Sequence, residues 1–174
     1  MSPLAPDSVV VMGVAGSGKS TLAAAVAADV ARPWVDADDF HSESNRRKMA
    51  EGQPLDDLDR AAWLASLGTQ LQLHPGGLVL ACSALKRGYR DQLRRASPGL
   101  RFAFLDIGKA EAARRVATRG THFFSASLVD SQFATLESPL GEPGVLRLDA
   151  QRPLHELRQQ VSQWLRQPLG SVLG

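Results

Sequence analysis

The chain has 174 residues, with 20 Lys+Arg against 18 Asp+Glu for a formal net charge of +2, and that length suits one domain burying about 70% of the surface its unfolded form exposes. The charges are interspersed although the pI is near 9.0, which argues against an extended nucleic-acid footprint and for a small-molecule partner. Cys82 is the only cysteine, so an internal disulfide and a cysteine-built zinc site are excluded; with no signal peptide or membrane span to be read from the N-terminal residues, the expectation is a cytoplasmic protein.

The apolar run 8–12 predicts a buried strand and the alanine-rich run 21–28 a helix. Between them Gly13-Val14-Ala15-Gly16-Ser17-Gly18-Lys19-Ser20 fits the phosphate-loop pattern G-x-x-x-x-G-K-[ST] in the strand-loop-helix context it requires. Glycines let backbone N–H groups turn inward on phosphates, and the helix N-terminus adds positive partial charge. Lys19 is placed to reach the β- and γ-phosphates and the Ser20 hydroxyl to ligate Mg²⁺. The candidate nucleotide ligands are Gly13, Ala15, Gly16, Ser17, Gly18, Lys19, Ser20 and Thr21.

A second strand, 33–36, ends in Asp36-Ala37-Asp38-Asp39-Phe40-His41. Carboxylates clustered at a strand's carboxyl end repel one another unless a cation or a hydroxylated ligand sits among them. Strand alternation would aim Asp36 and Asp38 the same way, one toward the water shell of Mg²⁺ and the other toward a substrate hydroxyl as proton acceptor. An acidic loop capping the next helix, with Asp39 or Ser42 as N-cap, is the structural alternative.

Residues 42–50 predict a short helix, and the apolar spacing of 60–67 a core-facing one in which Trp63 packs inward. Asp56, Asp57 and Asp59 ahead of it read as dipole complements, with Arg60 either pairing with them or binding an anionic ligand. A third strand, 78–82, runs into Ser83-Ala84-Leu85-Lys86-Arg87-Gly88-Tyr89-Arg90-Asp91. Its end lacks a carboxylate, and neither D-x-x-G nor N-K-x-D occurs in the chain, which argues against a GTPase switch. Lys86, Arg87, Tyr89 and Arg90 put cationic and hydroxyl donors at the same sheet edge as Asp38, or form a solvated face.

Beyond the strand 102–106, residues 109–119 predict a helix on which Arg115 and Arg119, four apart, share a face. A mobile lid could carry both to a transferring phosphoryl group, with His122 in lid packing or phosphate contact. A fifth strand, 145–149, and an amphipathic helix at 154–165 close the chain. Strands alternating with helices imply an α/β, three-layer αβα fold: a central parallel five-stranded sheet in one domain spanning 1–174, with a lid at about 115–135.

Taken together, these stretches resemble the gluconate kinases of the P-loop kinase superfamily, relatives of shikimate and adenylate kinases. The likeness rests on the 13–20 loop, Asp-Ala-Asp-Asp-Phe-His at 36–41, Asn45 with Lys48-Met49, Pro54-Leu55 with Asp59-Arg60 and Trp63-Leu64, Cys-Ser-Ala-Leu-Lys-Arg-Gly-Tyr-Arg-Asp at 82–91, His122-Phe123-Phe124, and Ser131-Gln132-Phe133 with Leu136-Glu137-Ser138-Pro139. The resemblance implies transfer of phosphate from ATP to D-gluconate, with ATP and Mg²⁺ held by the 13–20 loop and Asp36 reaching the metal through water. It implies Asp38 as base or orienter at the 6-hydroxyl, and His41, Arg60, Lys86, Arg90, His122 and Gln132 as gluconate ligands. Lys19, Arg115 and Arg119 would serve catalysis, Arg152 would lie in the loop flanking adenine, and a homodimer is the family's common state. The chain departs from the pattern at Ser42, where proline is frequent, at Thr121, where the lid often has glycine, and at Arg46-Arg47, read as surface drift.

Overall fold

The computed structural model describes residues 7–119 and 126–167. Within them, β1 (Val9–Met12), β2 (Trp34–Asp36), β3 (Val79–Ala81), β4 (Arg101–Asp106) and β5 (Val145–Asp149) form one sheet in the order β2-β3-β1-β4-β5. Every neighbouring pair runs parallel. β1 is central because its four side chains are apolar and wholly buried, Val-Val-Val-Met, which only a strand covered on both faces requires.

The period-2 alternation of the strands divides the core in two. Val9, Val11, Val79, Ala81, Ala103 and Leu105 face the layer of α1 (Lys19–Val30), α5 (Lys109–Arg119) and α7 (Leu154–Leu165), meeting Leu22, Val26, Ala112, Val116 and Val161. Val10, Met12, Leu80, Phe102 and Phe104 face α3 (Asp57–Leu73) and α4 (Arg87–Ala96), meeting Trp63, Leu64, Leu67 and Leu93. The three-layer architecture is the one the strand and helix periodicities predict.

Two local features differ from the sequence reading. After β2 the chain does not continue as a strand but coils into a 3₁₀ turn, Ala37–Phe40, because Asp36 accepts a hydrogen bond from the Asp38 backbone N–H and caps it. Residues Ala126–Thr135 form a further helix, α6, inside the segment read only as a lid. The remaining helix, α2 (Glu43–Ala50), begins as expected: the Ser42 hydroxyl, not Asp39, accepts from Asn45 N–H as its N-cap. α3 starts with a reciprocal capping box between Asp56 and Asp59.

The phosphate loop is pressed against α5. Gly16 adopts φ +82°, and a Cβ there would lie 2.8 Å from the Ala112 carbonyl oxygen and 3.2 Å from Val116 Cγ2. Both the left-handed backbone and the crowding demand glycine. Gly16→Ala is therefore expected to lower the thermal midpoint and weaken ATP binding together; a variant of wild-type stability and affinity in calorimetry would contradict this placement.

Candidate active site

A cavity of about 400 Å³ opens where the carboxyl ends of β1, β2 and β3 meet the start of α1. This is the sheet's order reversal, where parallel α/β sheets place their ligands. Ala15, Gly16, Gly18, Lys19, Ser20 and Thr21 line it from the phosphate loop. Gly18, at φ 96°, is the N-cap of α1 and offers no side-chain cap, and α1 has no acidic residue in its first turn. The first N–H groups of α1 thus have no side-chain acceptor of their own and suit an anion. Lys19 Nζ donates to the Val14 carbonyl at 3.1 Å. Gly13 and buried Ser17 pack together beneath the loop.

The Ser20 hydroxyl donates to Asp36 Oδ2 at 2.6 Å, while Asp36 Oδ1 accepts from Asp38 N at 3.0 Å. A hydroxyl and a carboxylate together form a hard, oxygen-only donor pair of the kind Mg²⁺ takes. Among the described residues no group of three or more His, Cys, Asp or Glu side chains could hold a metal alone, so an ion here would complete its shell with phosphate oxygens and water. The pair fits that arrangement.

Asp38 and Asp36 both face the cavity, although the 3₁₀ turn and not strand alternation brings them together. The Asp38 side chain is 62% exposed, to the open cavity. The protein surrounding it nonetheless raises its pKa: desolvation comes first, then repulsion by Asp36, with Lys19 opposing, Asp39 adding and Arg46 opposing. His41 is buried and stacked on Trp63, ring centroids 4.4 Å apart and planes within 15°. Burial, followed by the Arg46 and Arg60 guanidinium charges, holds its pKa down to about 4 against a pull from Asp36. His41 is consequently neutral near pH 7, and its 3.7 Å approach to Asp38 is polar contact, not an ion pair.

The cations at the acceptor end differ from those the sequence suggests. Arg60 does line the cavity, but it pairs with no aspartate: its guanidinium donates to the Leu55 carbonyl at 2.5 Å and the Tyr89 hydroxyl at 3.2 Å. Arg46, read from sequence as surface drift, also lines the cavity and donates to the Asp39 and His41 carbonyls, clamping the turn that carries Asp38. Gln132 is brought in by α6, its Oε1 accepting from Ala15 N at 2.6 Å. Trp63 is core, as expected, and cavity wall as well; its indole N–H donates to the Ala37 carbonyl.

Four expected ligands stand elsewhere. Lys86 pairs with Asp57 and lies over the Tyr89 ring, outside the cavity lining. Arg90 is fully buried, its guanidinium spent on both Glu142 oxygens and on the Ala84 and Glu137 carbonyls, so it locks α4 to the loop before β5 instead of meeting substrate. Arg152 pairs with Glu156 at the start of α7. Arg115 donates to Glu111, Gly16 O and Ala150 O, which joins α5 to the phosphate loop and to the residue after β5. The Arg119 side chain and His122 lie outside the described residues. Asn45, unassigned in the sequence reading, bridges His41 and α3; no helical spacing signals the contact, because His41 precedes the N-cap of α2 in extended backbone.

A phosphate loop at a parallel sheet's switch point, a hydroxyl–carboxylate pair for a metal and an acceptor chamber with its own carboxylate define a P-loop phosphotransferase. No protein-family model matches the sequence. The chain is 43% identical over 152 residues to the gluconokinase of Gluconobacter oxydans, covering 86% of this chain and 85% of that one. It is 40% identical over 149 residues to the thermoresistant gluconokinase of Escherichia coli, covering 83% and 85%. The crystal structure of a gluconokinase from Sinorhizobium meliloti superposes with a TM-score of 0.86 at 43% identity, over 94% of this chain and 93% of that one. The chain belongs to the gluconokinase family.

Two outcomes test these placements. Arg90→Met leaves the Glu142 carboxylate buried with Arg94 as its remaining cation, so denaturant unfolding should show a loss of about 3 kcal/mol with the acceptor KM of the folded enzyme unchanged; a raised KM at full stability would return Arg90 to the substrate site. For Asp38, the raised pKa means the charged form is disfavoured in the folded state. That penalty is present above the folded pKa and absent below the ordinary carboxylate value, where both states are protonated. Asp38→Asn should raise the thermal midpoint at pH 7, and the gain should shrink as pH falls through the raised pKa.

Proposed function

We infer that the protein transfers the γ-phosphoryl group of ATP to the 6-hydroxyl of D-gluconate, giving 6-phospho-D-gluconate and ADP. The observation that carries this is the convergence of the phosphate loop, the Asp36–Asp38 carboxylates and the Arg46–Arg60 cations on one cavity, in a chain of the gluconokinase family.

The acidic side of the cavity takes the reacting hydroxyl and the two arginines suit the acceptor's carboxylate, since guanidinium groups match carboxylates in charge and geometry. Asp38 accepts the hydroxyl proton as the oxygen attacks the γ-phosphorus and the bond to the β–γ bridging oxygen breaks. Its raised pKa moves it toward the operating pH of a general base. Lys19 neutralises charge on the phosphates, and Arg119, from the 115–135 lid, adds guanidinium charge as charge develops; Arg115 acts through the phosphate loop, which it holds to α5 by its bond to the Gly16 carbonyl. Ser20, and Asp36 through water, would hold Mg²⁺, which would supply positive charge to offset that of the phosphates. Gln132 links lid and phosphate loop through Ala15 N, so lid closure and phosphate binding act on the same amide. We assign the protein to the cytoplasm and, by its family, to a homodimer; no helix among the described residues is long and apolar enough to cross a membrane.

Mg²⁺-dependent ADP release measured across gluconate, shikimate, glycerate and no acceptor should be stimulated by gluconate alone, and stimulation by none of them would overturn the substrate assignment. Lys19→Ala is expected to abolish turnover. Asp38→Asn should lower kcat by about two orders of magnitude or more with ATP affinity largely intact, whereas a wild-type kcat per folded molecule would remove Asp38 from the chemistry.

A further inference from the structure

We propose that Asn45 is a positioning residue that fixes the tautomer of His41, so that the imidazole presents Nε2–H beside Asp38 as a hydrogen-bond donor to the acceptor's reacting oxygen. This rests on the phosphoryl-transfer reading of the site.

Asn45 is the chain's sole asparagine and is 5% exposed. Its Nδ2 lies 2.8 Å from the Asp59 main-chain carbonyl oxygen. A carbonyl only accepts, so the amide end facing it is the NH₂ group and the side chain's orientation is determined. The same Nδ2 lies 3.5 Å from His41 Nδ1. One hydrogen goes to Asp59, leaving the other for the imidazole, and Nδ1 must then offer its lone pair. A neutral imidazole has one N–H, which is left to Nε2.

Nε2 is 3.7 Å from Asp38 Oδ1, too far for a direct hydrogen bond. An oxygen about 2.8 Å from each can bridge them. A substrate hydroxyl in that position donates its proton to the carboxylate and accepts from Nε2–H, which orients the oxygen's remaining lone pair for attack. The other tautomer would set a lone pair beside a carboxylate, two acceptors with no donor for the hydroxyl oxygen. The ring plane is held independently: the imidazole stacks on Trp63, and Trp63 is pinned by its bond to the Ala37 carbonyl. Within that plane, the Asn45 contact sets which ring edge faces it and which nitrogen carries the proton. The second Asn45 bond ties that choice to the first turn of α3, where Asp59 also holds Lys48 of α2 at 2.7 Å.

The test reads the tautomer directly. The chain has four histidines, so long-range ¹H–¹⁵N correlation spectra of histidine-labelled protein at neutral pH are tractable, with His41 assigned by its loss in His41→Phe. Wild type should show the Nε2–H pattern, and Asn45→Asp, isosteric but accepting toward the ring, should shift it to Nδ1–H or to the doubly protonated form. An Nδ1–H pattern in wild type, or an unchanged pattern in Asn45→Asp, overturns the proposal. In kinetics, Asn45→Asp and Asn45→Leu should raise the gluconate KM about tenfold, the scale of one well-placed hydrogen bond, with the ATP KM unchanged. An unchanged gluconate KM in the folded variants also overturns it. If wild type failed to phosphorylate gluconate, the function assignment would fall while the wild-type spectrum still decided the tautomer.

Discussion

The hydrogen bond from the Ser20 hydroxyl to Asp36 joins the two halves of the site. It ties the first turn of α1, which offers N–H groups to phosphate, to the end of β2. The other Asp36 oxygen caps the 3₁₀ turn that carries Asp38. One carboxylate thereby sets the spacing between nucleotide and acceptor chambers, and positioning is most of what phosphoryl transfer asks of a protein. Beneath it, the parallel register of β1 with β3 and β4 fixes where those strand ends fall.

The acceptor chamber is built from compromises that a stability optimum would not contain. Asp38 sits among other carboxylates in surroundings that disfavour its charge, and His41 is buried where burial and two guanidinium groups disfavour protonation. Arg46 bears on both: it eases the Asp38 charge, opposes a His41 charge and holds the main chain between them. Groups whose environments push their pKa values in opposed directions mark functional sites. The buried Arg90–Glu142 pair, by contrast, has every guanidinium nitrogen hydrogen-bonded and lies outside the lining of the cavity, the pattern of a structural lock.

The sheet, its flanking layers and the phosphate loop were legible in the sequence because each rests on local periodicity or on a motif whose residue types have separate physical duties. Strand alternation failed after Asp36 because a side-chain cap outcompeted the extended backbone. The basic residues of 86–90 share a composition but not a fate: Arg90 turns inward to Glu142, 52 residues later, and Lys86 is drawn to Asp57, a partner read as an ordinary helix-start charge. Such long-range pairings leave no local signature. Arg46 shows the reverse error, a departure from the family pattern taken for surface variation that the geometry of α2 carries to the cavity wall.

In the proposed reaction, one cavity aligns the γ-phosphate of ATP with the primary hydroxyl at the end of the acceptor chain distal to its carboxylate. The most direct measurement is the structure of the product formed from ATP and D-gluconate, read by phosphorus–proton coupling in NMR. Coupling of the new phosphate to the two protons on carbon 6 is the predicted result. A phosphate coupled to a secondary-carbon proton, or phosphate released to water with gluconate unchanged, would contradict it.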